Sequence, residues 1–221
     1  IVNGQGPFKD ASLLVWTTTP WTLPSNQFVA VHPHLDYVIV CDKESGERLI
    51  VAAELAETVA AKAKREFIVE RKDEGTDLLR LRDMPPFDHY YKLFGNKVGH
   101  VKRLLPLPTH TEPIAWHPVV ADFVTTDSGT GVVHQAPAFG EVDHEVLLAE
   151  QARFVDGEGP HLINAVASDG KFTSDGPDYC RGRWVKDCDK DIVRDLKQRG
   201  LLFHQEQYVH DYPFCPRAEQ D

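Results

Sequence analysis

Cysteine, methionine and long apolar runs are scarce in this 221-residue chain. Its four cysteines form no C-x-x-C pair, so neither a zinc knuckle nor a redox dithiol is predicted, and we expect them to be reduced and mostly buried. No apolar run is long enough to span a membrane, and the chain has neither a charged-then-apolar leader nor an Asn-x-Ser/Thr acceptor. These absences argue against membrane insertion and secretion and predict a cytoplasmic protein.

The motifs of several common enzyme classes are also missing. No G-x-S-x-G elbow and no G-x-x-x-x-G-K-S/T loop occurs, so a hydrolase nucleophile of that type and a nucleotide phosphate cradle are not predicted. His144 and Glu145 begin like the helix of a zinc protease, but Leu148 stands where the second histidine is needed. We therefore expect no metal and no cofactor in this chain.

The chain is acidic, with 34 acidic and 24 basic residues and a net charge of −10. This charge opposes tight autonomous binding to a polyanion. Basic residues nevertheless concentrate in two patches, one within residues 92–106 and one around a tryptophan: Lys97, Lys102 and Arg103, then Arg181, Arg183, Trp184 and Lys186. Each patch either contacts phosphates, with Trp184 stacking on a base, or is an ordinary solvated basic face.

Residue patterning predicts a mixed α/β fold. The β-rich runs at residues 37–41 and 47–52 flank a turn and predict a hairpin. Apolar residues at helical spacing predict helices, and β-rich runs predict further short strands. The predicted helices lie at residues 55–63, 141–150 and 187–199, the last closed by Gly200, and the strands at 67–71, 98–105, 119–126, 132–134 and 201–207. We expect one domain over residues 1–221, with a β-barrel-like core or strongly bent sheet and surrounding helices.

Residues 16–24 are unusually rich in hydroxyl and indole groups. The stretch follows a predicted buried strand at residues 13–15, and Pro20 prevents regular ladder pairing at that point. A strand that ends in a hydroxyl-rich irregular turn predicts one wall of a polar pocket. The alternative is a Thr-rich β-edge closed by a proline turn, because threonine and tryptophan both favour strands.

A second segment offers one imidazole and one carboxylate. His134 follows a Gly-Thr-Gly turn at residues 129–131 and a short β-rich run, and Asp143 lies near the start of the next predicted helix. This order can present both side chains to one cavity. The alternatives are a hydrogen-bonded strand histidine and an aspartate that caps the helix or compensates its dipole.

Together, the two segments resemble the editing domain of isoleucyl-tRNA synthetase. The resemblance rests on residues 17–24 (TTTPWTLP), Asn26 and residues 129–137 (GTGVVHQAP). The related leucyl and valyl enzymes share the first threonines and the Gly-Thr-Gly turn, but they carry Arg-Pro-Glu-Thr after those threonines and no histidine at the position of His134. The sequence looks most similar to the eukaryotic cytosolic branch, and it lacks the HIGH and KMSKS motifs of the catalytic core.

The resemblance implies a proofreading activity, the hydrolysis of valine wrongly esterified to the isoleucine tRNA, with isoleucine excluded by pocket size. It implies two partners, the acceptor end of tRNA(Ile) and the rest of the synthetase in cis, and a monomer that binds neither DNA nor membrane. ATP and Mg would be used only by the absent catalytic core of the parent enzyme. Because the chain opens at Ile1, we expect a piece of a longer polypeptide, with residues 210–221 approaching the re-entry to that core.

Carried over residue by residue, the resemblance implies that Asp143 holds the substrate α-ammonium and that His134 sets the size limit. The threonines would bind the terminal adenosine and position the attacking water. The predicted catalytic residues are Thr17, Thr18, Thr19 and Asp143. The predicted substrate-binding residues are Trp16, Trp21, Thr22, Asn26, His134, Ala136 and Asp143, and the two basic patches would contact tRNA.

Three positions near Asp143, at the expected rim of the pocket, depart from the usual pattern of the family, namely Ala138, Val142 and His144. Two alternative functions stay open at this point. One is a non-catalytic module that only binds the tRNA acceptor end, which the acidic composition disfavours. The other is a free-standing trans-editing deacylase.

Overall fold

The computed structural model describes residues 6–102 and 110–207 and shows a mixed α/β domain, as predicted. Within these residues the strands are β1 (Ala11–Leu13), β2 (Phe28–Val31), β3 (Asp36–Asp42), β4 (Arg48–Ala52), β5 (Phe67–Glu74), β6 (Val98–His100), β7 (Thr111–Pro113), β8 (Pro118–Val120) and β9 (Val132–Gln135). The α-helices are α1 (Ala56–Ala63), α2 (Gly75–Leu78), α3 (His89–Phe94), α4 (Glu141–Arg153) and α5 (Val185–Gln198). Short 3₁₀ segments are Gly6–Phe8, Pro20–Ser25, Ala53–Leu55 and Asp178–Cys180. None of the described helices has the length and apolar character that a bilayer crossing requires.

The first sheet has four strands in the order β1-β4-β3-β5. Its centre is the predicted hairpin of β3 and β4, which pair antiparallel from Tyr37 opposite Ala52 to Cys41 opposite Arg48. Strand β1 joins β4 in parallel, and the Leu14 N–H continues this pairing by donating to the Ile50 C=O at 3.0 Å. The threonine run therefore leaves from a strand that is anchored in a buried sheet.

The second sheet has the order β8-β2-β9, with β2 parallel to β8 and antiparallel to β9. All four residues of β2 are buried, as expected for a central strand covered on both faces. The register places Val29 opposite His134. An apolar core that includes Phe28, Ile192 and Leu196 packs α5 near this sheet. His134 thus projects from β9, which pairs with β2 on one side and forms an isolated β-bridge between Val133 and Trp16 on the other.

The described strands fall into three separate sheets, the third being the antiparallel pair of β6 and β7. The barrel-like core that we expected is thus built from open sheets, and the described residues close no barrel. The strand predicted at residues 119–126 is shorter than expected. Only Pro118–Val120 pairs with β2, and the chain then turns, with the Val124 N–H donating to the Ala121 C=O at 3.3 Å.

The prediction of a strand at residues 201–207 is wrong, because these residues form no strand. The Leu201 N–H donates to the Leu196 C=O at 2.8 Å and Gly200 has φ +67°, which closes α5 in the predicted manner. Beyond this cap, the Phe203 ring packs against Phe67 at a centroid distance of 5.9 Å. β-Propensity reports how well a side chain packs, and it does not supply a neighbouring strand. In the strand predicted at 98–105, residues 98–100 form β6, and residues 103–105 lie outside the described residues.

The Gly-Thr-Gly turn before β9 requires its glycines for conformation and for space. Gly129 and Gly131 have φ of +76° and +72°, in the left-handed region that favours glycine. A Cβ on Gly131 would lie 2.4 Å from the Ala52 Cβ, and a Cβ on Gly129 would lie 3.0 Å from the Trp16 ring. The turn therefore packs directly against β4 and against the start of the threonine run.

Replacing Gly131 with alanine is expected to destabilise the domain more than replacing Gly46, its matched control. Gly46 has φ +73°, but a Cβ there meets nothing within 4 Å. The strained φ costs each variant about 1–2 kcal/mol, and overlap with Ala52 adds about 1–3 kcal/mol to Gly131→Ala alone. Urea unfolding followed by circular dichroism measures both losses. Equal losses of unfolding free energy would contradict the packing of this turn.

Candidate functional site

A cavity of about 240 Å³ lies between the threonine run and the segment that joins β9 to α4. The residues that line it come from both segments singled out in the sequence: Trp16, Thr17, Thr18, Thr19, Thr22, Val133, His134, Ala136, Phe139, Gly140 and Asp143. The four residues predicted to be catalytic are all among them. Two stretches of chain more than 100 residues apart thus form opposite walls of one cavity.

Backbone pairing with β9 holds the threonine run in place. The Trp16 N–H donates to the Val132 C=O at 3.0 Å, and Trp16 forms a parallel β-bridge with Val133. Pro20 then begins the 3₁₀ segment Pro20–Ser25, in which the Thr22 N–H donates to the Thr19 C=O at 3.1 Å. The chain therefore leaves the ladder at the predicted proline, and both threonines remain at the cavity wall.

His134 is 7% exposed, and both of its ring nitrogens form hydrogen bonds inside the protein. Asn26 Nδ2 donates to the Phe28 C=O at 3.0 Å and to His134 Nδ1 at 2.8 Å. Because an amide nitrogen only donates, Nδ1 is the acceptor and carries no proton. The ring proton is therefore on Nε2, which donates to Thr22 Oγ1 at 2.9 Å, and Thr22 Oγ1 donates to the Thr19 C=O at 2.8 Å.

These hydrogen bonds keep the His134 imidazole neutral. Burial lowers the pKa of His134 from 6.5 to about 4. A second ring proton would have to be placed on Nδ1, opposite the amide group of Asn26 that already donates to it. A neutral ring with no free acceptor nitrogen is a poor base, so the geometry makes His134 a fixed, uncharged part of the cavity wall.

Asp143 reaches the cavity from the first turn of α4. Its Oδ2 accepts a hydrogen bond from the Ala136 N–H at 2.9 Å. Gly140 permits this close approach, since a Cβ there would lie 3.2 Å from the Asp143 Cγ. Burial raises the pKa of the Asp143 carboxyl above its ordinary value, and hydrogen bonds from Ala136 and Gln135 lower it in part. A partly desolvated carboxylate at a cavity wall favours a cationic ligand.

Trp21 and Asn26 lie behind the lining residues of the cavity. The Trp21 ring packs edge-on against Phe139 at a centroid distance of 4.8 Å. The backbone N–H of Trp21 donates to Asp189 Oδ1 at 3.0 Å. Asn26 contacts His134, as described above. That these two residues bind substrate stays a prediction, and their contacts show how they support the wall.

Sequence reasoning missed three residues that line the cavity: Val133, Phe139 and Gly140. Val133 precedes His134 directly, and the other two lie on the bend before Asp143, so their position in the chain was the available signal. The three departures from the family pattern are not among the lining residues. Val142 instead lines a second, apolar groove beside β8. Ala138 is half-buried, and His144 is exposed.

Four of the basic residues predicted to contact tRNA are exposed, namely Lys97, Lys102, Arg181 and Arg183, and three of these are paired with acids. Three ion pairs are Lys102–Asp156 at 2.6 Å, Arg181–Asp178 at 2.8 Å and Arg183–Asp191 at 2.8 Å. Exposed ion pairs contribute only about 0–1 kcal/mol, so a phosphate could compete for these side chains.

The remaining members of the two basic patches have different surroundings. Lys97 Nζ lies 4.7 Å from the centre of the Phe94 ring. Trp184 is 40% exposed, and Lys186 is half-buried. Arg103 lies outside the described residues. Contact with tRNA stays a prediction for both patches.

The cavity offers hydroxyl groups, one carboxylate and one neutral imidazole. No threonine hydroxyl there has a basic partner that would activate it, because both nitrogens of His134 are engaged. This set is suited to binding a cation and orienting water or an ester by hydrogen bonds. Across residues 6–102 and 110–207, no group of three or more His, Cys, Asp or Glu side chains is placed to hold a metal ion.

Acidification is expected to destabilise the fold through His134. Its pKa is 6.5 in the unfolded reference and about 4 in the folded protein, so the unfolded chain takes up the proton first. The stabilisation from the neutral ring is present above pH 6.5 and is lost as the pH falls towards 4. The unfolding free energy of the wild type, measured relative to that of His134→Gln, should therefore fall by about 3 kcal/mol as the pH is lowered through this window.

Urea unfolding at several pH values measures this difference. Burial raises the pKa of Asp83 to about 6, so Asp83 titrates in the same window. Because it does so in both proteins, its contribution cancels in the difference. A difference that does not change with pH would contradict the buried neutral imidazole.

No protein-family model matches the chain. The isoleucine–tRNA ligase of Bdellovibrio bacteriovorus is 41% identical over 95% of this chain and 17% of its own length. That of Bacillus thuringiensis strain Al Hakam is 40% identical over 93% of this chain and 17% of its own length. The cytoplasmic isoleucine–tRNA ligase of Caenorhabditis elegans is 39% identical over 94% of this chain and 16% of its own length. The chain thus spans about a sixth of these relatives. Bacterial and eukaryotic sequences match it at similar identity, so the similarity to the eukaryotic cytosolic branch stays a prediction.

Two solved structures share the fold at low sequence identity. The crystal structure of GlLeuRS-CP1 has a TM-score of 0.57 at 18% identity, over 93% of this chain and 86% of that one. The editing domain of P. knowlesi cytosolic leucyl-tRNA synthetase has a TM-score of 0.58 at 10% identity, over 87% of this chain and 83% of that one. The chain is therefore homologous to a segment of the isoleucine–tRNA ligases, and it has the fold of the leucyl-tRNA synthetase editing domains.

Proposed function

We propose that this domain hydrolyses the ester bond of valine mischarged on tRNA(Ile) and rejects isoleucine by the size of its cavity. The observation that carries the proposal is the meeting of four threonines, a neutral His134 and the Asp143 carboxylate around one cavity of about 240 Å³. An aminoacyl ester presents an ammonium, an ester carbonyl and an apolar side chain. Each of these groups has a complementary group on the wall.

The Asp143 carboxylate binds the substrate α-ammonium. It lies partly buried at the cavity wall, and one oxygen is already held by the Ala136 N–H at 2.9 Å. A charge-assisted hydrogen bond in such a place is stronger than a neutral one. Asp143 thereby fixes the amino acid in one orientation and leaves its side chain directed to another part of the wall.

His134 limits the size of the amino-acid side chain. Its ring is fixed by Asn26 on one side and Thr22 on the other, so it does not yield easily to a larger ligand. Affinity alone separates ligands that differ by one methylene by only about 1–3 kcal/mol, a limit for which isoleucyl-tRNA synthetase is itself the standard example. A rigid steric stop in a second site supplies the further discrimination that proofreading needs.

Thr17, Thr18 and Thr19 orient the attacking water and the ester. Water adds to the ester carbonyl, the bond to the terminal ribose oxygen breaks, and that oxygen takes a proton, which leaves valine and free tRNA. We assign the acceleration to orientation and hydrogen bonding of the developing oxyanion, with a ribose hydroxyl of the tRNA assisting proton transfer. Trp16, Thr22 and Ala136 complete the binding wall.

The wider setting of the domain is part of the same proposal. The acceptor end of tRNA(Ile) enters the cavity, and the rest of a synthetase, monomeric and cytoplasmic, acts in cis. ATP and Mg belong to the catalytic core of that enzyme, so this chain alone does not aminoacylate tRNA. The alternative of a purely tRNA-binding module is less well supported, because the cavity holds the carboxylate and hydroxyls that ester hydrolysis uses.

The direct test is deacylation by the 221-residue chain. With tRNA(Ile) charged with radiolabelled valine or isoleucine, we expect release of valine well above the rate without protein and little release of isoleucine. Equal rates for both esters would contradict the size limit. Binding of the tRNA without release of valine would favour the non-catalytic module.

The variant Asp143→Asn is expected to lower kcat/KM for Val-tRNA(Ile) by about 10- to 100-fold, since a hydrogen bond to a charged group contributes about 1.5–3 kcal/mol. Glu141→Gln is the matched control, because Glu141 is an exposed acid on the same helical turn and does not line the cavity. Single-turnover deacylation measures both variants. Equal activity of Asp143→Asn and wild type would exclude Asp143 as the ammonium anchor.

A further inference from the structure

The 3₁₀ segment Pro20–Ser25, which carries Thr22 and follows Thr19, begins without the cap that its sequence would normally provide. Thr19 occupies the N-cap position, where a threonine side chain ordinarily accepts a hydrogen bond from the first turn. No such bond is formed here. The Thr19 hydroxyl instead lies 3.4 Å from Thr22 Oγ1, and Thr19 is one of the residues that line the cavity.

The backbone donors of this turn are satisfied by other groups. Pro20 has no N–H, and the Thr22 N–H donates to the Thr19 C=O at 3.1 Å. The Trp21 N–H donates to Asp189 Oδ1 at 3.0 Å, across a separation of 168 residues. Asp189 lies in the second turn of α5 and is half-buried. A side chain from a distant helix therefore supplies the cap that Thr19 does not.

We propose that Asp189 is a positioning residue for the hydrolytic site: by accepting the Trp21 N–H, it leaves the Thr19 hydroxyl free to face the substrate. The proposal rests on the deacylase function proposed above. Without Asp189, the Trp21 N–H would be left for the N-cap hydroxyl of Thr19, which ordinarily accepts from this position and would then rotate onto the turn. The cavity would lose one of the hydroxyls that orient water and ester.

The contact needs an acceptor oxygen rather than a negative charge. Burial raises the pKa of Asp189, while the hydrogen bond from the Trp21 N–H and the charge of Lys186 lower it in part. An asparagine retains an oxygen at the position of Oδ1, whereas alanine removes it. Comparing Asp189→Asn with Asp189→Ala therefore distinguishes a requirement for an acceptor oxygen from a requirement for an acid.

The experiment measures single-turnover deacylation of Val-tRNA(Ile) by the 221-residue chain and its variants. Asp189→Ala is expected to lower the rate constant about 10- to 100-fold with little change in KM, because misplacing a reacting group by about 1 Å has effects of this size. Asp189→Asn is expected to stay within about threefold of wild type. Asp187→Ala, at an exposed acid of the same helix, is the matched control and should not change the rate.

A double-mutant cycle with Thr19→Ala separates positioning from general destabilisation. If Asp189 acts through the Thr19 hydroxyl, then Asp189→Ala has no further effect in a chain that already lacks this hydroxyl. If the two substitutions instead lower the rate constant by factors that multiply in the double variant, the proposal is overturned. An Asp189→Asn variant as slow as Asp189→Ala would also overturn it.

A crystal structure of Asp189→Ala gives a readout that does not depend on activity. The proposal expects Thr19 Oγ1 within hydrogen-bond distance of the Trp21 nitrogen, and a hydroxyl still facing the cavity would overturn it. If Asp189→Ala does not fold, the same comparison is made with Asp189→Ser, whose shorter side chain does not reach Trp21. Absence of deacylation by the wild type would instead contradict the proposed function, while the crystal structure would still decide the role of Asp189.

Discussion

The hydrogen bonds of the buried His134 imidazole join the two walls of the cavity. Asn26 donates to one ring nitrogen, and the other donates to Thr22, whose hydroxyl donates to the Thr19 backbone. The ring can neither flip nor change tautomer without leaving a buried donor or acceptor unpaired, at about 1–3 kcal/mol for each group. The positions of both threonines therefore depend on one ring that is fixed from both sides.

The same constraint decides the electrostatics of the site. Because both His134 nitrogens are engaged and the ring is buried, it contributes shape without charge. Asp143 is then the acidic side chain among the residues that line the cavity. A single anion beside a neutral steric wall matches a ligand with one ammonium and an apolar side chain. The roles that we propose for Asp143 and His134 therefore rest on burial and hydrogen bonding rather than on residue type alone.

Local patterns and the family resemblance together predicted eight of the eleven residues that line the cavity. The proline and the Gly-Thr-Gly turn are signals within a few residues, and both were found where the sequence indicated. The strand predicted at residues 13–15 is instead β1 at Ala11–Leu13, and Val15 is exposed. The role of Asp189 could not be predicted in this way, because its contact with Trp21 spans 168 residues. Likewise, the contact of Asn26 with His134 depends on how β2 and β9 pair, and the missing strand at residues 201–207 shows that propensity does not supply a partner.

The most direct measurement is a crystal structure of the chain with a non-hydrolysable amide analogue of valyl-adenosine. The account predicts that the ammonium lies about 3 Å from the Asp143 carboxylate, with the valyl methyl groups against His134. The adenosine should lie along the threonine run. An analogue bound away from residues 17–22, or with its ammonium directed away from Asp143, would contradict the assignment of this cavity as the hydrolytic site.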